Sequence, residues 1–140
     1  MNNHLPLLLR LLQIPKLGPT SIQKILDQVN LSDLQDYDIT AFKHIGWNAQ
    51  QIQAWFNPKK RYIEPALLWG EKEGNHILDY YHPDYPEQLK QIDSAPPVLF
   101  VKGETSTLSR PQIAIVGSRQ CSSYGEYWAK YFASELTTNG

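Results

Sequence analysis

The stretch PQIAIVGSRQCSSYG, residues 111–125, decides the fold class. Its first half, Gln112 to Val116, is a nearly continuous apolar run, which suits a strand buried on both faces of a parallel sheet rather than the alternation of a half-exposed one. Ser123 then opens a helix in which Gly125, Trp128, Ala129, Phe132 and Leu136 share one face, and Asn139 and Gly140 supply its stop. Strand, glycine turn and helix make the first half of a βαβ unit. Upstream, PPVLFVKG supplies another strand of the same buried type, from about Val98 to Val101. A βαβ crossover delivers a parallel strand beside the first, and the sequence stops where that strand would start. Two short strands cannot cover both faces of such a sheet. The chain therefore reads as a fragment of a longer protein, with residues 75–140 the truncated opening of a parallel-sheet α/β domain.

Residues 1–74 read differently, as a small all-helical domain, with a boundary near Gly74 where helical spacing gives way to Tyr, Pro and short apolar runs. In LPLLLRLLQI, Leu5, Leu8, Leu9 and Leu12 follow the spacing of one buried helical face. Gly18-Pro19 begins a second helix, with Pro at a first helical position where its missing N–H costs little; Ile22, Ile25, Leu26 and Val29 form its face. Ser32 to Gln35 fits a capping box. Phe42 and Ile45 precede a Gly46 stop, and Ile52, Trp55 and Phe56 lie on a helix begun near Asn48. Pro58 marks the next break, and Lys60 to Lys72 carries Tyr62, Ala66 and Trp69 on one face before Gly70 and Gly74 weaken its end.

Composition narrows the function classes. The 140 residues are 41% apolar and 19% charged with a net charge of -1, which fits a folded chain and excludes a histone-like protein that grips nucleic acid over its whole surface. Any nucleic-acid site must be local. The leucine-rich start is too short to span a bilayer and lacks the basic flank and small-residue cleavage site of a signal peptide. The one cysteine, Cys121, cannot form an internal disulfide, so a reducing cytoplasm is the expected location. His4, His44, His76 and His82 have no metal-ligand spacing, and no cofactor or membrane partner is expected.

The chemistry is expected after the second apolar run. Open α/β sheets bind ligands outside the carboxyl ends of their strands, at the start of the following helix. There Gly117 permits close backbone approach and unusual φ/ψ, Ser118 lies beside it, and Arg119 offers a planar charged fork to phosphate oxygens. Ser122 or Ser123 can cap the helix, Ser123 with Glu126 fits a capping box, and Gly125 lets the helix lie close to the strand. The segment is neither a dinucleotide fingerprint nor a Walker loop, because the later glycines of the first and the Gly-Lys-Ser/Thr of the second are absent. A purely structural turn, with Arg119 in solvent or paired with a carboxylate, is the alternative.

In order, HPDYPEQL (82–89), DSAPPVLFVKG (93–103) and IAIVGSRQCSSYG (113–125) resemble the DprA (Smf) DNA-processing family, in which a YP..L segment, a PP.L...G segment and a VGSR...YG segment follow one another. The resemblance covers about Tyr81 to Gly140. It implies an extended Rossmann-like domain that binds single-stranded DNA, protects it and helps load the recombinase RecA onto it in natural transformation, without catalysis, and that self-associates as a homodimer when full length. The family's Gly-Ser-Arg motif maps onto Gly117, Ser118 and Arg119, with its phosphate-binding role. The family's later serine-glycine turn and second basic cluster have no counterpart before residue 140. A competing enzyme reading is a nucleotide-cleaving hydrolase of the related lysine-decarboxylase-like Rossmann group; the downstream glycine-rich loop and catalytic glutamate that it needs are not visible.

LLQIPKLGPTSIQKIL (11–26) resembles a helix-hairpin-helix element in which Lys16 replaces the usual first glycine, and FKHIGWNAQQI (42–52) resembles a weaker second copy. The family often carries such a SAM-like helical domain in front. Its hairpins can meet duplex phosphates or serve only as packing or protein-interaction turns. Lys59-Lys60-Arg61 is a run of three basic residues that reads as a solvated helix start, with a secondary DNA contact as the other use. Cys121 has no evident base or resolving partner. Tyr80, Tyr81 and Tyr85 can stack on bases or pack a domain junction, and Asp79, Asp84 and Glu87 have ordinary turn reasons.

Overall fold

A computed structural model describes residues 4–139. The chain divides into two compact units, the first running to Ser109 and the second starting at Arg110.

Five helices build most of the first unit: α1 (His4–Leu11), α2 (Pro19–Gln28), α3 (Ile39–His44), α4 (Ala49–Phe56) and α5 (Lys60–Gly70). Their core gathers Leu8, Leu11, Ile14, Ile22, Leu34, Phe42, Ile52 and Trp55. At its centre Phe42 is fully buried and stacks on Trp47, with centroids 4.7 Å apart at 25°, while Trp55 and Phe56 tilt against the same ring at 5.6 and 5.8 Å. Aromatic contacts of this kind add to the area they bury. Leu8 and Leu9 of α1 are buried as expected, but Leu7 and Leu11 are buried with them, Leu5 is only partly buried and Leu12 lies past the helix end. So many consecutive leucines leave the helical register unset by spacing, and α1 ends before Leu12, which is 39% exposed.

Caps explain where the helices begin. Asn48 and Gln51 form a reciprocal capping box at α4: each side-chain oxygen accepts from the other's backbone N–H at 3.0 Å. Ser32 makes no such box, because its own backbone is helical and its side chain caps nothing; a short 3-10 turn, Asp33–Gln35, follows instead.

The same unit contains an antiparallel ribbon of β1 (Asn75–Asp79) and β2 (Val98–Lys102), with Ile77 opposite Phe100 and Leu78 opposite Leu99. The apolar run at Val98–Val101 is therefore a strand as expected, but its pairing is not parallel and it is not buried on both faces: Phe100 is half exposed. Val98 joins the helical core, and Trp69 of α5 meets Phe100 edge to face at 5.6 Å. At Gly70 a Cβ would stand 2.7 Å from Ile77 Cδ1 and 2.9 Å from its Cγ1, so any larger residue there would force the Ile77 side chain to shift. Between the strands in sequence lie α6 (Glu87–Lys90) and its flanking turns.

In the second unit α7 (Ser123–Thr138) forms as expected and closes at Asn139; the proposed stop at Gly140 lies outside the described residues. Gln112–Val116 is not a strand. Among the described residues no other strand pairs with it, and Ile113 and Val116 are 69% and 89% exposed. An apolar run becomes a strand only where a neighbouring backbone takes its N–H and C=O groups. Fold class is nonetheless as read: a helical front part, then the start of an α/β part.

Candidate nucleic-acid interface

The turn before α7 and the first turn of that helix hold every residue expected at the site. Ser122, not Ser123, is the N-cap: its Oγ accepts from Gly125 N–H at 3.2 Å, and Glu126 N–H bonds its carbonyl at 3.0 Å. Ser123 is the first helical residue, and the expected Ser123–Glu126 box does not form. Glu126 instead pairs with Lys130 one turn on, at 2.6 Å, which lowers its carboxyl pKa and raises that of the lysine. Ahead of the cap, Ser118 Oγ accepts from Gln120 N–H at 3.2 Å, tightening the turn around Arg119. All of residues 117–125 are exposed.

Two glycine roles are corrected by this geometry. Gly117 does not use a left-handed backbone, and a Cβ there would meet nothing within 4 Å. What Gly117 provides is an unshielded backbone. At Gly125 a Cβ would meet only Ser122 Oγ at 3.5 Å and Cys121 Cβ at 3.9 Å, ordinary contacts, so close approach to a strand is not its reason. Arg119 is exposed, and among the described residues no carboxylate pairs with it. A turn of exposed N–H groups, two hydroxyls and a free guanidinium at a helix start is chemically an anion-binding arrangement.

The other motif segments are structural where the tyrosines and prolines meet. Tyr85 is buried, and its hydroxyl donates to Pro96 O at 2.8 Å. Tyr80 N–H bonds Pro97 O, and Thr105 Oγ1 donates to Asp84 at 2.7 Å. Burial, reinforced by Tyr80 nearby, pushes the Tyr85 phenol above its ordinary pKa. Tyr81 remains half exposed.

In the helical part the two hairpins share one backbone design. Lys16 (φ 58°) and Gly46 (φ 87°) are left-handed, Leu17 and Trp47 follow, and Gly18 and Asn48 are extended N-caps of α2 and α4. Gln51 Nε2 links them by donating to Pro15 O at 3.1 Å. Thr20, in the first turn of α2, donates to Asp93 O at 3.0 Å, so that turn is occupied by the chain's own loop. Packing is the better-supported use of the first hairpin. Sequence reading missed a clamp beside it: Gln13 Oε1 accepts from Lys59 N–H at 2.8 Å while Gln13 Nε2 donates to Lys59 O at 3.3 Å. A lone glutamine carries no motif signal.

A helical module leading into an α/β segment with an exposed Gly-Ser-Arg turn defines a class, and comparison with known proteins gives the family. The SMF/DprA SAM domain matches residues 3–68, and DNA recombination-mediator protein A matches residues 76–140. The chain is 33% identical over 132 residues to Protein Smf of Escherichia coli (strain K12), covering 94% of this chain and 35% of that protein. It is 49% identical over 41 residues to DNA processing protein DprA of Streptococcus pneumoniae (strain ATCC BAA-255 / R6), covering 29% of this chain and 14% of that one. The protein of the same name from Bacillus subtilis (strain 168) is 33% identical over 86 residues, covering 61% of this chain and 28% of the relative. The chain belongs to the SMF/DprA family. It spans about a third or less of the length of these curated relatives. Among the described residues no helix is long and apolar enough to cross a membrane.

Proposed function

We propose that this chain is part of a non-enzymatic DNA-processing protein of recombination and natural transformation, acting in the cytoplasm. It binds single-stranded DNA, protects it and helps load RecA recombinase, as a homodimer when full length. Residues 1–74 are the helical module and residues 75–140 the opening of the Rossmann-like DNA-binding domain. Family membership and the relatives' names, which speak of DNA processing, support this reading. The observation that carries the site is Arg119, exposed and without a carboxylate partner among the described residues, beside Gly117 and Ser118 and ahead of a helix capped by Ser122. There Gly117 N–H, the Ser118 and Ser122–Ser123 hydroxyls and the Arg119 fork hold backbone phosphates, and Gly125 completes the turn. Phosphate contacts position the strand without reading its bases.

The test is fluorescence anisotropy of labelled oligo-dT with the full-length parent protein, wild type against Arg119→Ala, with duplex and a nucleoside monophosphate as competitors. The proposal expects single-strand binding that the variant loses by tenfold or more and that the monophosphate does not displace. Displacement by the monophosphate together with its hydrolysis would instead establish the nucleotide-hydrolase reading.

A further inference from the structure

The helical part carries a second feature that the turn before α7 does not absorb. α5 opens with Lys59 at the N-cap and Lys60 and Arg61 in its first two positions, with no acidic residue in the first turn and no side-chain cap. Cations are unfavourable at a helix N-terminus, whose dipole end is already positive. A sequence that keeps three there breaks a local rule, and such breaks concentrate where function requires them. All three are exposed, and among the described residues none is paired with a carboxylate.

The Gln13 clamp makes this more than a charged run. By gripping both backbone groups of Lys59, Gln13 fixes the start of α5 beside the end of α1. Exposed Lys16 follows Gln13 three residues later, at most about 11 Å along the chain from it. Three cations thus stand side by side at the start of α5, and the clamp ties the segment that leads into Lys16 to the same end of the helical part. Next to them stands an aromatic face: Tyr62 is 57% exposed, and the Arg61 guanidinium lies 4.8 Å from its ring centroid. Cations that track phosphates, interleaved with an open ring on which a base can stack, are the requirements of a single-stranded nucleic-acid groove.

We infer that Lys16, Lys59, Lys60, Arg61 and Tyr62 form a second contact for single-stranded nucleic acid on the helical part, separate from the Gly117–Gly125 turn. A duplex hides its base faces from Tyr62, so the single strand is the favoured partner. This inference stands on the charges and the ring, and does not require the Arg119 site to be correct.

The test uses the full-length parent protein and labelled oligo-dT over a salt series, comparing wild type, the triple variant Lys59→Gln/Lys60→Gln/Arg61→Gln, Tyr62→Ala and Arg119→Ala. Neutralising three phosphate contacts should flatten the slope of log K against log salt by about 2. Tyr62→Ala should weaken single-strand binding about fivefold and leave duplex binding unchanged. Thermal melting checks that each variant folds; if the triple variant does not, Lys16→Gln/Lys60→Gln replaces it, with an expected flattening of about 1.4. An unchanged slope in the folded lysine variants overturns the inference, as does equal loss of duplex binding in Tyr62→Ala. A slope altered by the triple variant but not by Arg119→Ala leaves this contact standing and removes the other.

Discussion

The guanidinium of Arg10 lies over the indole of Trp55, 4.0 Å from the ring centroid, and donates from Nε to the Trp55 carbonyl at 2.7 Å, with Nη2 on the same oxygen. One side chain of α1 thereby answers a carbonyl in the last turn of α4, where cations are favoured and carbonyls lack intrahelical partners. Burial lowers the Arg10 pKa, yet arginine remains charged throughout the physiological range. The arginine that interrupts the leucine run of α1 is thus a bolt across the helical bundle.

Replacing Arg10 with Ala removes the stacking and the charge-assisted bonds together, and a loss of about 2–4 kcal/mol is expected. Arg10→Lys should recover less than half of that, since an ammonium cannot stack and fork at once. Urea unfolding at fixed pH measures both; equal stability of the lysine variant and the wild type would contradict the assignment.

At Lys16 the left-handed backbone penalises an L residue by about 1–2 kcal/mol, whereas glycine adopts it freely but gains entropy in the unfolded chain worth about 0.5–1 kcal/mol. Lys16→Gly should therefore raise stability by about 0.5–1 kcal/mol. The same change at exposed Lys24, inside α2, should cost about 1 kcal/mol. Thermal melts of the two variants should shift in opposite directions.

Gln51 both closes the α4 capping box and donates to Pro15 O, so Gln51→Ala should cost about 2 kcal/mol. Asn48→Ala removes only the cap and should cost about 1 kcal/mol. A denaturant midpoint lower for the Asn48 variant than for the Gln51 variant would reverse this ranking.

Tyr85 predicts a pH dependence. Its phenol titrates above the ordinary value of about 10 in the fold, because ionising a buried hydroxyl that donates to Pro96 O is unfavourable. Its contribution is complete below pH 10 and is lost as pH rises through the folded pKa, since the unfolded chain gives up the proton first. Tyr85→Phe should lose about 1 kcal/mol at pH 7 and show a shallower decline above pH 10. Parallel declines in the two proteins would place the alkaline sensitivity elsewhere.

How much of this was legible depended on whether a residue's role was local. Helix starts written by side chains on their own segment, Pro19 after Gly18 and Asn48 before α4, were readable, as was the Ser122–Ser123 start of α7 to within one residue. The face of α1 was readable only in part, at Leu8 and Leu9, because leucine occupies nearly every register and tertiary packing adds Leu7 and Leu11. The β ribbon was half visible: Val98–Val101 announces a strand, but antiparallel pairing depends on Asn75–Asp79, a short run whose partner lies across α6 and two turns. Gln112–Val116 shows the converse, since strand propensity without a paired backbone forms no strand. At the candidate site the residue types were legible, while the exposure of Arg119 and the turn at Ser118 depend on the folded backbone.

The proposed role of the turn from Gly117 to Ser122 is to hold the phosphates of single-stranded DNA. Its most direct test is the salt dependence of oligo-dT binding by the full-length parent protein, wild type against Arg119→Ala. Loss of one phosphate contact should reduce the slope of log K against log salt by about 0.7, alongside a drop in affinity at every salt concentration. Superimposable slopes and affinities for the two proteins would contradict it.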